Sequence, residues 1–221
     1  MVTLDPGVAE KAKPGITFVL ERASLEVAKV GKKYQLLNSD DHPNFLRKHG
    51  RDPAEYRPDI VHQAMLAVLD SPLNKAGRLK ALYVSTEKGV LIQVNPHVRL
   101  PRTFKRRLLF PVQLLQKLSI SATGSREKLL RVIKKPVTRH LPVNSRKIGE
   151  NFILQPLRGY NLCRAFVWDF KTNFIQVGAM AHGKIDQEYT DDFIAVSGYQ
   201  LSAACCIGRI CNALELKWKI L

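Results

Sequence analysis

Two short apolar runs near the carboxyl end of the chain predict buried β-strands. Residues 174–177 read FIQV and residues 193–196 read FIAV, with the length and the β-branched and aromatic content of such strands. Each run leads into a loop that contains glycine, with Gly178 and Gly183 in the first loop and Gly198 in the second. Beyond Tyr199 the pattern becomes helical, and one side of the predicted helix carries Leu201, Ala204, Cys205, Gly208, Cys211 and Leu214.

The rest of the chain alternates predicted strands with predicted helices. Strands are expected at residues 16–20, 79–85 and 90–94, the last two joined by a hairpin loop at 86–89. Helices are expected at residues 59–70 and 112–120 and, more briefly, near 45–48, while the mixed segment 23–37 leans helical. This alternation favours an α/β sandwich built on a largely parallel sheet.

Length and composition leave the number of domains open. At 221 residues the chain could form one large domain or two small ones, and its 45% hydrophobic content suffices for a real core. The division we expect is a flexible leader at residues 1–15 and a single domain at 16–221. No apolar run approaches the roughly 20 residues of a membrane span. The start of the chain lacks a signal peptide's apolar stretch, so no membrane partner is expected. Four cysteines without CxxC or Cys/His spacing predict free thiols and no metal.

The charge of the chain points to a polyanionic partner. Thirty-five Lys and Arg against nineteen Asp and Glu give a formal net charge of +16. Such an excess on a globular domain favours nucleic acid, although charge alone does not separate RNA from DNA. The sequence contains no helix-turn-helix or zinc-binding pattern, which disfavours a DNA-binding module.

A basic segment at residues 95–107 concentrates candidate phosphate-binding side chains. Arg99, Arg102 and Arg106 lie there among few acids. Guanidinium groups bind phosphate through a two-pronged fork that lysine cannot imitate. Phe104 and His97 lie in the same segment and could stack on an unpaired base, although a solvated charged face has the same composition.

Arg57, Pro58 and Asp59 form a second candidate constellation. Proline pushes the residue before it into extended geometry, from which Asp59 could orient the Arg57 side chain through a charge-assisted hydrogen bond. An aspartate immediately before an apolar helical run is also an expected N-cap. Both roles can coexist, because a carboxylate has several acceptor sites.

The two glycine loops predict a crevice in which backbone groups can reach a ligand closely. Ordinary turns contain glycines too, and no GxGxxG or P-loop is present. The amino-acid sequences of the two loops are more specific, because VGAMAHG followed by SGYQLSAA resembles the cofactor-binding tail of the Nep1/Emg1 family of SPOUT-class methyltransferases. Four further family-like segments occur earlier in the chain, in the expected order: GRDPAEYRPDIVHQ, DSPLNKAG, VNPHVRLPRTF and VIKKPVTRHLP. The resemblance therefore covers roughly residues 16–221.

This resemblance implies a fold and an activity. The fold would be a SPOUT-type Rossmann-like sandwich whose C-terminal part forms a trefoil knot, with the knot and cofactor region at about 148–205. The activity would be S-adenosylmethionine-dependent methylation of N1 of a pseudouridine in small-subunit (18S-type) rRNA. The resemblance also implies a homodimer that works with ribosome-assembly proteins. Action in the nucleus and nucleolus is expected because the quoted segments match eukaryotic relatives better than archaeal ones.

The resemblance also assigns site residues. S-adenosylmethionine would be held by Gly178, Gly183, Val196, Ser197, Gly198, Tyr199, Gln200 and Leu201. The rRNA would be held by Arg57, Arg99, Arg102 and Arg106, with Asp59 supporting Arg57. No general base is assigned, because a carboxylate tied to an arginine is a weak base. His62, His140 and His182 are the alternatives for that role.

The chain departs from the family pattern in three places. A helix running from 103 to 120 would contain Pro111, so we expect the helix to break or restart there. Residues 155–173 do not match the connection expected before the knot. Gly198 and Gln200 replace the Asn and Pro usual in the second cofactor loop. The alternative function is therefore a non-catalytic rRNA-binding ribosome-assembly factor with a decayed cofactor pocket.

Overall fold

The computed structural model describes residues 14–101, 109–122, 124, 126–141, 145–150, 172–183, 185 and 189–220. Ten strands are found within these residues: β1 Gly15–Ala23, β2 Val27–Val30, β3 Lys33–Leu36, β4 Leu79–Thr86, β5 Leu91–Val94, β6 Ser119–Ser121, β7 Lys128–Ile133, β8 Arg146–Glu150, β9 Thr172–Gly178 and β10 Asp192–Ile194. The α-helices are α1 Pro43–Lys48, α2 Pro58–Leu69, α3 Pro72–Lys75, α4 Leu109–Lys117 and α5 Ala203–Lys217, and short 3₁₀ turns occupy Pro53–Glu55 and Val137–His140.

Eight of the described strands form one sheet in the order β10-β8-β9-β1-β4-β5-β7-β6. The strands from β10 to β4 are parallel, and β5, β7 and β6 extend the sheet in antiparallel fashion. The predicted α/β fold with a largely parallel sheet is confirmed. The predicted hairpin between the fourth and fifth strands is confirmed too, with Gly89 in a left-handed conformation at φ 81°.

The centre of the sheet is buried on both faces, which explains the continuous apolar run of β1. Phe18 and Leu20 belong to the larger core, which also contains residues of α2, α4 and α5. Val19 belongs to a smaller cluster on the other face with Tyr83 and Phe174. The helix predicted from residue 59 is α2, which packs against both α5 and β1.

Two expectations about local structure are wrong. Segment 23–37 leans helical by sequence but forms the antiparallel pair β2–β3, because Val27 and Leu36 pair to face the core and Gly31 turns the chain at φ 63°. The helix expected at 112–120 ends at Lys117. Leu118 then takes a left-handed conformation at φ 59°, and the chain continues as strand β6 against β7.

Helix α4 is described from Leu109 to Lys117 and contains Pro111. The break expected near Pro111 stays a prediction, because residues 102–108 lie outside the described residues. The knot stays a prediction, because residues 151–171 of its expected region, and with them most of the divergent segment 155–173, lie outside the described residues. Residues 1–13 of the leader predicted at 1–15 also lie outside the described residues.

Across the described ranges, none of the helices combines the length and apolar character needed to cross a membrane. The same ranges contain no group of three or more His, Cys, Asp or Glu side chains arranged to hold a metal ion.

Candidate active-site cleft

A cleft of about 310 Å³ opens at the carboxyl end of β9, between the first turns of α2 and the start of α5. Crevices outside the carboxyl ends of parallel strands are the usual ligand sites of open α/β sheets. Three stretches of chain contribute its described lining: Arg57, Asp59, Ile60 and Gln63; Val177, Gly178, Met180 and Ala181; and Leu201, Ser202, Ala203, Ala204 and Cys206. Arg57, which the sequence predicts to bind RNA, therefore lines the same cleft as residues of both predicted cofactor loops.

On the α2 wall, Arg57 and Asp59 form a bidentate ion pair. Nε of Arg57 donates to Oδ1 of Asp59 at 2.9 Å, and Nη2 donates to Oδ2 at 2.7 Å. These hydrogen bonds, followed by the charge of Asp59, raise the pKa of Arg57 above its usual value. The Arg57 side chain is still 44% exposed, so its outer edge can reach a ligand. The contact expected from the sequence is present, and its role in RNA binding stays a prediction.

Asp59 is not the N-cap of α2, which corrects one reading of the sequence. The helix begins at Pro58 with Arg57 as its N-cap residue, and no side chain caps it. Proline is favoured at the first helical position, because its fixed φ suits the helix and its missing N–H is not needed there. Asp59 therefore lies in the first turn, where a carboxylate interacts favourably with the helix dipole.

The first predicted cofactor loop contributes Gly178 to the cleft. A Cβ added to Gly178 would lie 3.1 Å from Cε of Met180, so a side chain at position 178 would press on the Met180 side chain beside it. Gly183 is not among the described lining residues. It has φ 112°, a conformation that favours glycine, and a Cβ placed there would lie 2.8 Å from Nη1 of Arg22.

The second predicted loop reaches the described lining only through Leu201. Val196 is buried in the core. Ser197 Oγ accepts a hydrogen bond from the Tyr199 amide at 3.0 Å, which forms a local turn. Gly198, Tyr199 and Gln200 are exposed. Their roles in cofactor binding stay predictions.

Several lining residues were not singled out by the sequence. Met180 and Ala181 lie within the segment VGAMAHG, and Ser202, Ala203 and Ala204 lie within the segment SGYQLSAA. Ser202 is the N-cap of α5 and accepts from the Cys205 amide at 3.2 Å. The sequence signal for these residues is Ser-Ala-Ala at positions 202–204. A serine N-cap followed by small residues marks a helix start at which a ligand can approach the backbone closely.

The other predicted RNA-binding arginines are not brought to this cleft by the described residues. Arg99 is exposed in the loop after β5, and Arg102 and Arg106 lie outside the described residues. The structure does fix both ends of their segment. Nε2 of His62 lies 3.0 Å from the carbonyl oxygen of Pro101, and helix α4 begins at Leu109.

The histidines considered as bases have other surroundings. His62 contacts Pro101, and Nε2 of His140 lies 2.9 Å from the carbonyl oxygen of Lys134. His182 lines a neighbouring pocket of about 170 Å³ together with Arg22 and Tyr56. Within the described part of the chain no histidine lines the cleft, so the structure gives no ground for assigning one as a base.

Residues at the end of β1 anchor the first loop. The carbonyl of Glu21 accepts from the Ala179 amide at 2.7 Å, and its carboxylate accepts from the hydroxyl of Tyr189. Arg22 has a left-handed φ of 55° and forms a bidentate pair with Glu87, with 2.9 Å from Nε to Oε2 and 3.1 Å from Nη2 to Oε1. Arg22 thus lies between the β4–β5 hairpin and Gly183.

We expect Arg22→Gly to loosen the loop at 179–183 while leaving global stability nearly unchanged. Glycine adopts a positive φ without strain, and a partly exposed ion pair contributes only about 0–1 kcal/mol. Hydrogen exchange should therefore accelerate at these amides, whereas the urea midpoint should shift little. Glu87→Gln, which keeps the arginine, should give a smaller acceleration. Unchanged exchange in Arg22→Gly would show that Arg22 does not order the loop.

Comparison with known proteins agrees with this geometry. The EMG1/NEP1 methyltransferase family model matches residues 18–215. A mouse protein named ribosomal RNA small subunit methyltransferase NEP1 is 48% identical over 203 residues, which cover 92% of this chain and 82% of that protein. A Candida glabrata protein with the same name is 47% identical over 218 residues, which cover 97% of this chain and 93% of that protein.

A solved structure confirms the fold class. The crystal structure of Archaeoglobus fulgidus Nep1 bound to S-adenosylhomocysteine superimposes with a TM-score of 0.68 at 21% identity, covering 92% of this chain and 98% of that one. Together with the family match over residues 18–215, this confirms the resemblance drawn from the loop words. The chain belongs to the EMG1/NEP1 methyltransferase family.

Proposed function

We propose that this chain is an S-adenosylmethionine-dependent methyltransferase that modifies N1 of a pseudouridine in small-subunit rRNA during ribosome biogenesis. Relatives at 47–48% identity are named as small-subunit rRNA methyltransferases, and the archaeal structure contains S-adenosylhomocysteine. The observation that carries the proposal is the shared cleft, in which Arg57 faces the Gly178 loop and the start of α5.

The residues of the cleft fit the methyl donor. S-adenosylmethionine carries a sulfonium, and when bound it supplies an electrophilic methyl group. Gly178, Ala181, Ala203 and Ala204 give walls without bulk, so backbone groups of both loops can hold the donor's polar ends. The described lining contains one ion pair, Arg57 with Asp59, and its charges are mutually compensated.

Arg57 would position the RNA. Its guanidinium is held on one edge by Asp59, and its exposed edge can bind a phosphate beside the target nucleotide. Asp59 acts as a positioning residue rather than a base, because its carboxylate is engaged by the arginine. Holding the nitrogen of the base in line with the methyl group contributes to the rate by orientation, which can supply several kcal/mol.

The remaining parts of the proposal rest on the family resemblance. They are a homodimer, contacts with ribosome-assembly proteins, and action in the nucleus and nucleolus. Support for the nucleolar site is the 43–48% identity to NEP1 proteins of animals and yeasts, compared with 28% for the Pyrococcus furiosus protein. Small-subunit rRNA is the partner that the basic charge of the chain favours.

Ligand binding followed by methyl transfer tests this function. Calorimetry should detect binding of S-adenosylhomocysteine, and the protein should transfer labelled methyl groups to an RNA hairpin with one pseudouridine. The same hairpin with uridine is the matched control and should accept no label, because N1 of uridine is bonded to the ribose. Absence of S-adenosylhomocysteine binding combined with intact RNA binding would instead support the non-catalytic assembly factor.

Arg57→Ala should weaken RNA binding about ten- to hundred-fold and leave the Kd for S-adenosylhomocysteine nearly unchanged. The loss corresponds to roughly 1.5–3 kcal/mol for a hydrogen bond to a charged group. Arg57→Lys should recover part of it, since lysine retains the charge but not the fork. Fluorescence anisotropy and calorimetry measure the two affinities. An equal loss of both ligands would mean that Arg57 supports the fold of the cleft.

A further inference from the structure

The hairpin formed by β2 and β3 carries a basic and aromatic surface that the proposed site does not use. Lys29, Lys32 and Lys33 are exposed, and Tyr34 is 58% exposed although it is a large aromatic residue. These four residues, which we call the hairpin surface, surround the turn at Gly31. No ion pair involving the three lysines is present within the described residues.

Pairing in the hairpin determines which way these side chains face. Val27 pairs with Leu36 and Lys29 pairs with Tyr34, so all four lie on one face of the two-stranded sheet. Val27 and Leu36 pack into the main core, and helix α4 contacts both strands. Lys29 and Tyr34 therefore extend the α4-facing side of the hairpin outward into solvent, whereas Lys33, which pairs with Val30, lies on the other face and Lys32 lies in the turn between the strands. The hairpin surface is thus the tip of the hairpin and includes both of its faces.

The base of the hairpin borders elements that are expected to bind RNA. One apolar cavity of about 50 Å³ is lined by Leu36 at the end of β3, by Asp59 of α2, and by Pro101 and Pro111. The last two residues flank the segment that holds Arg102 and Arg106. The base of the hairpin, the partner of Arg57 and both ends of the basic segment thus meet around one cavity, and the hairpin surface projects from this base.

Two acids that flank the hairpin along the chain have partners elsewhere. Glu26, which precedes β2, pairs with Arg51 at 2.5 Å and with Lys88 at 3.5 Å. Asp41 accepts a hydrogen bond from Nδ2 of Asn38 at 3.0 Å within the loop after β3. Lysines with long flexible stems bind phosphates as point charges, and an exposed aromatic ring among them provides a stacking platform for a base.

We propose that the hairpin surface is a second RNA contact, which binds the strand flanking the target nucleotide. The lysines bind phosphates of this strand, and Tyr34 stacks on one of its unpaired bases. The inference rests on the proposed function for the identity of the RNA. An acidic protein surface is the competing partner, and it would leave RNA affinity independent of the hairpin.

The test compares two hairpin variants with a matched control. Lys29→Gln/Lys32→Gln/Lys33→Gln removes the charges and Tyr34→Ala removes the ring. Lys75→Gln/Lys80→Gln is the control, because both lysines are exposed and lie away from the hairpin, Lys75 at the end of α3 and Lys80 near the amino-terminal end of β4. Each protein is titrated with two labelled RNA hairpins, one with single-stranded flanks and one trimmed to the stem and loop, over a salt series.

On the flanked RNA, the lysine variant should make the negative slope of log K against log salt less steep by about two, since each single-strand phosphate contact contributes about −0.7. Tyr34→Ala should weaken binding about five- to hundred-fold. On trimmed RNA all proteins should bind alike, and S-adenosylhomocysteine affinity should not change. Hairpin variants that bind flanked RNA like the unmodified chain and the control overturn this inference alone. Loss of RNA binding in the unmodified chain overturns the proposed function with it.

Discussion

Parallel pairing of β1 with β9 is the constraint on which the candidate site depends. Leu20 pairs with Val177 and Glu21 with Gly178, so segments from opposite ends of the sequence leave the sheet at the same edge. The backbone of Glu21 then binds Ala179, and its carboxylate binds Tyr189. Residues 15–20 of β1 are buried, with Phe18 and Leu20 in the larger core and Val19 in the smaller cluster on the other face. A shift by one residue would put each side chain into the wrong cluster, so this register also fixes the position of the first loop.

Helix packing completes the cleft above this edge. Helix α2 packs against α5, which brings the Arg57 pair to face the start of α5. The buried carboxylate of Glu215 near the end of α5 accepts from the Leu73 amide at 2.9 Å and ties α5 to α3. A buried amide without a partner costs about 1–3 kcal/mol, so this bond favours one position of α5 relative to α2 and α3. The cleft is thus formed by packed helices and the end of β9, together with the loop residues Met180, Ala181 and Leu201.

The sequence predicted those parts that depend on local patterns. Apolar runs gave β1, β4, β5 and β9, the spacing of four gave α2, and the Arg57–Pro58–Asp59 order gave the ion pair. The hairpin at 27–36 was missed, because its helical appearance is overridden by tertiary packing of Val27 and Leu36. Similarly, the glycines indicated both loops, but only the three-dimensional arrangement distinguishes Gly178 in the cleft from Gly183 beside Arg22.

A crystal structure of the protein with S-adenosylhomocysteine would show whether both loops and Arg57 serve one site. We expect the ligand's sulfur to lie in the cleft among Gly178, Met180 and Leu201, with the guanidinium of Arg57 on the opposite wall. A ligand bound away from these loops, or an Arg57 side chain that faces away from the sulfur, would show that the cleft is not the methyl-transfer site.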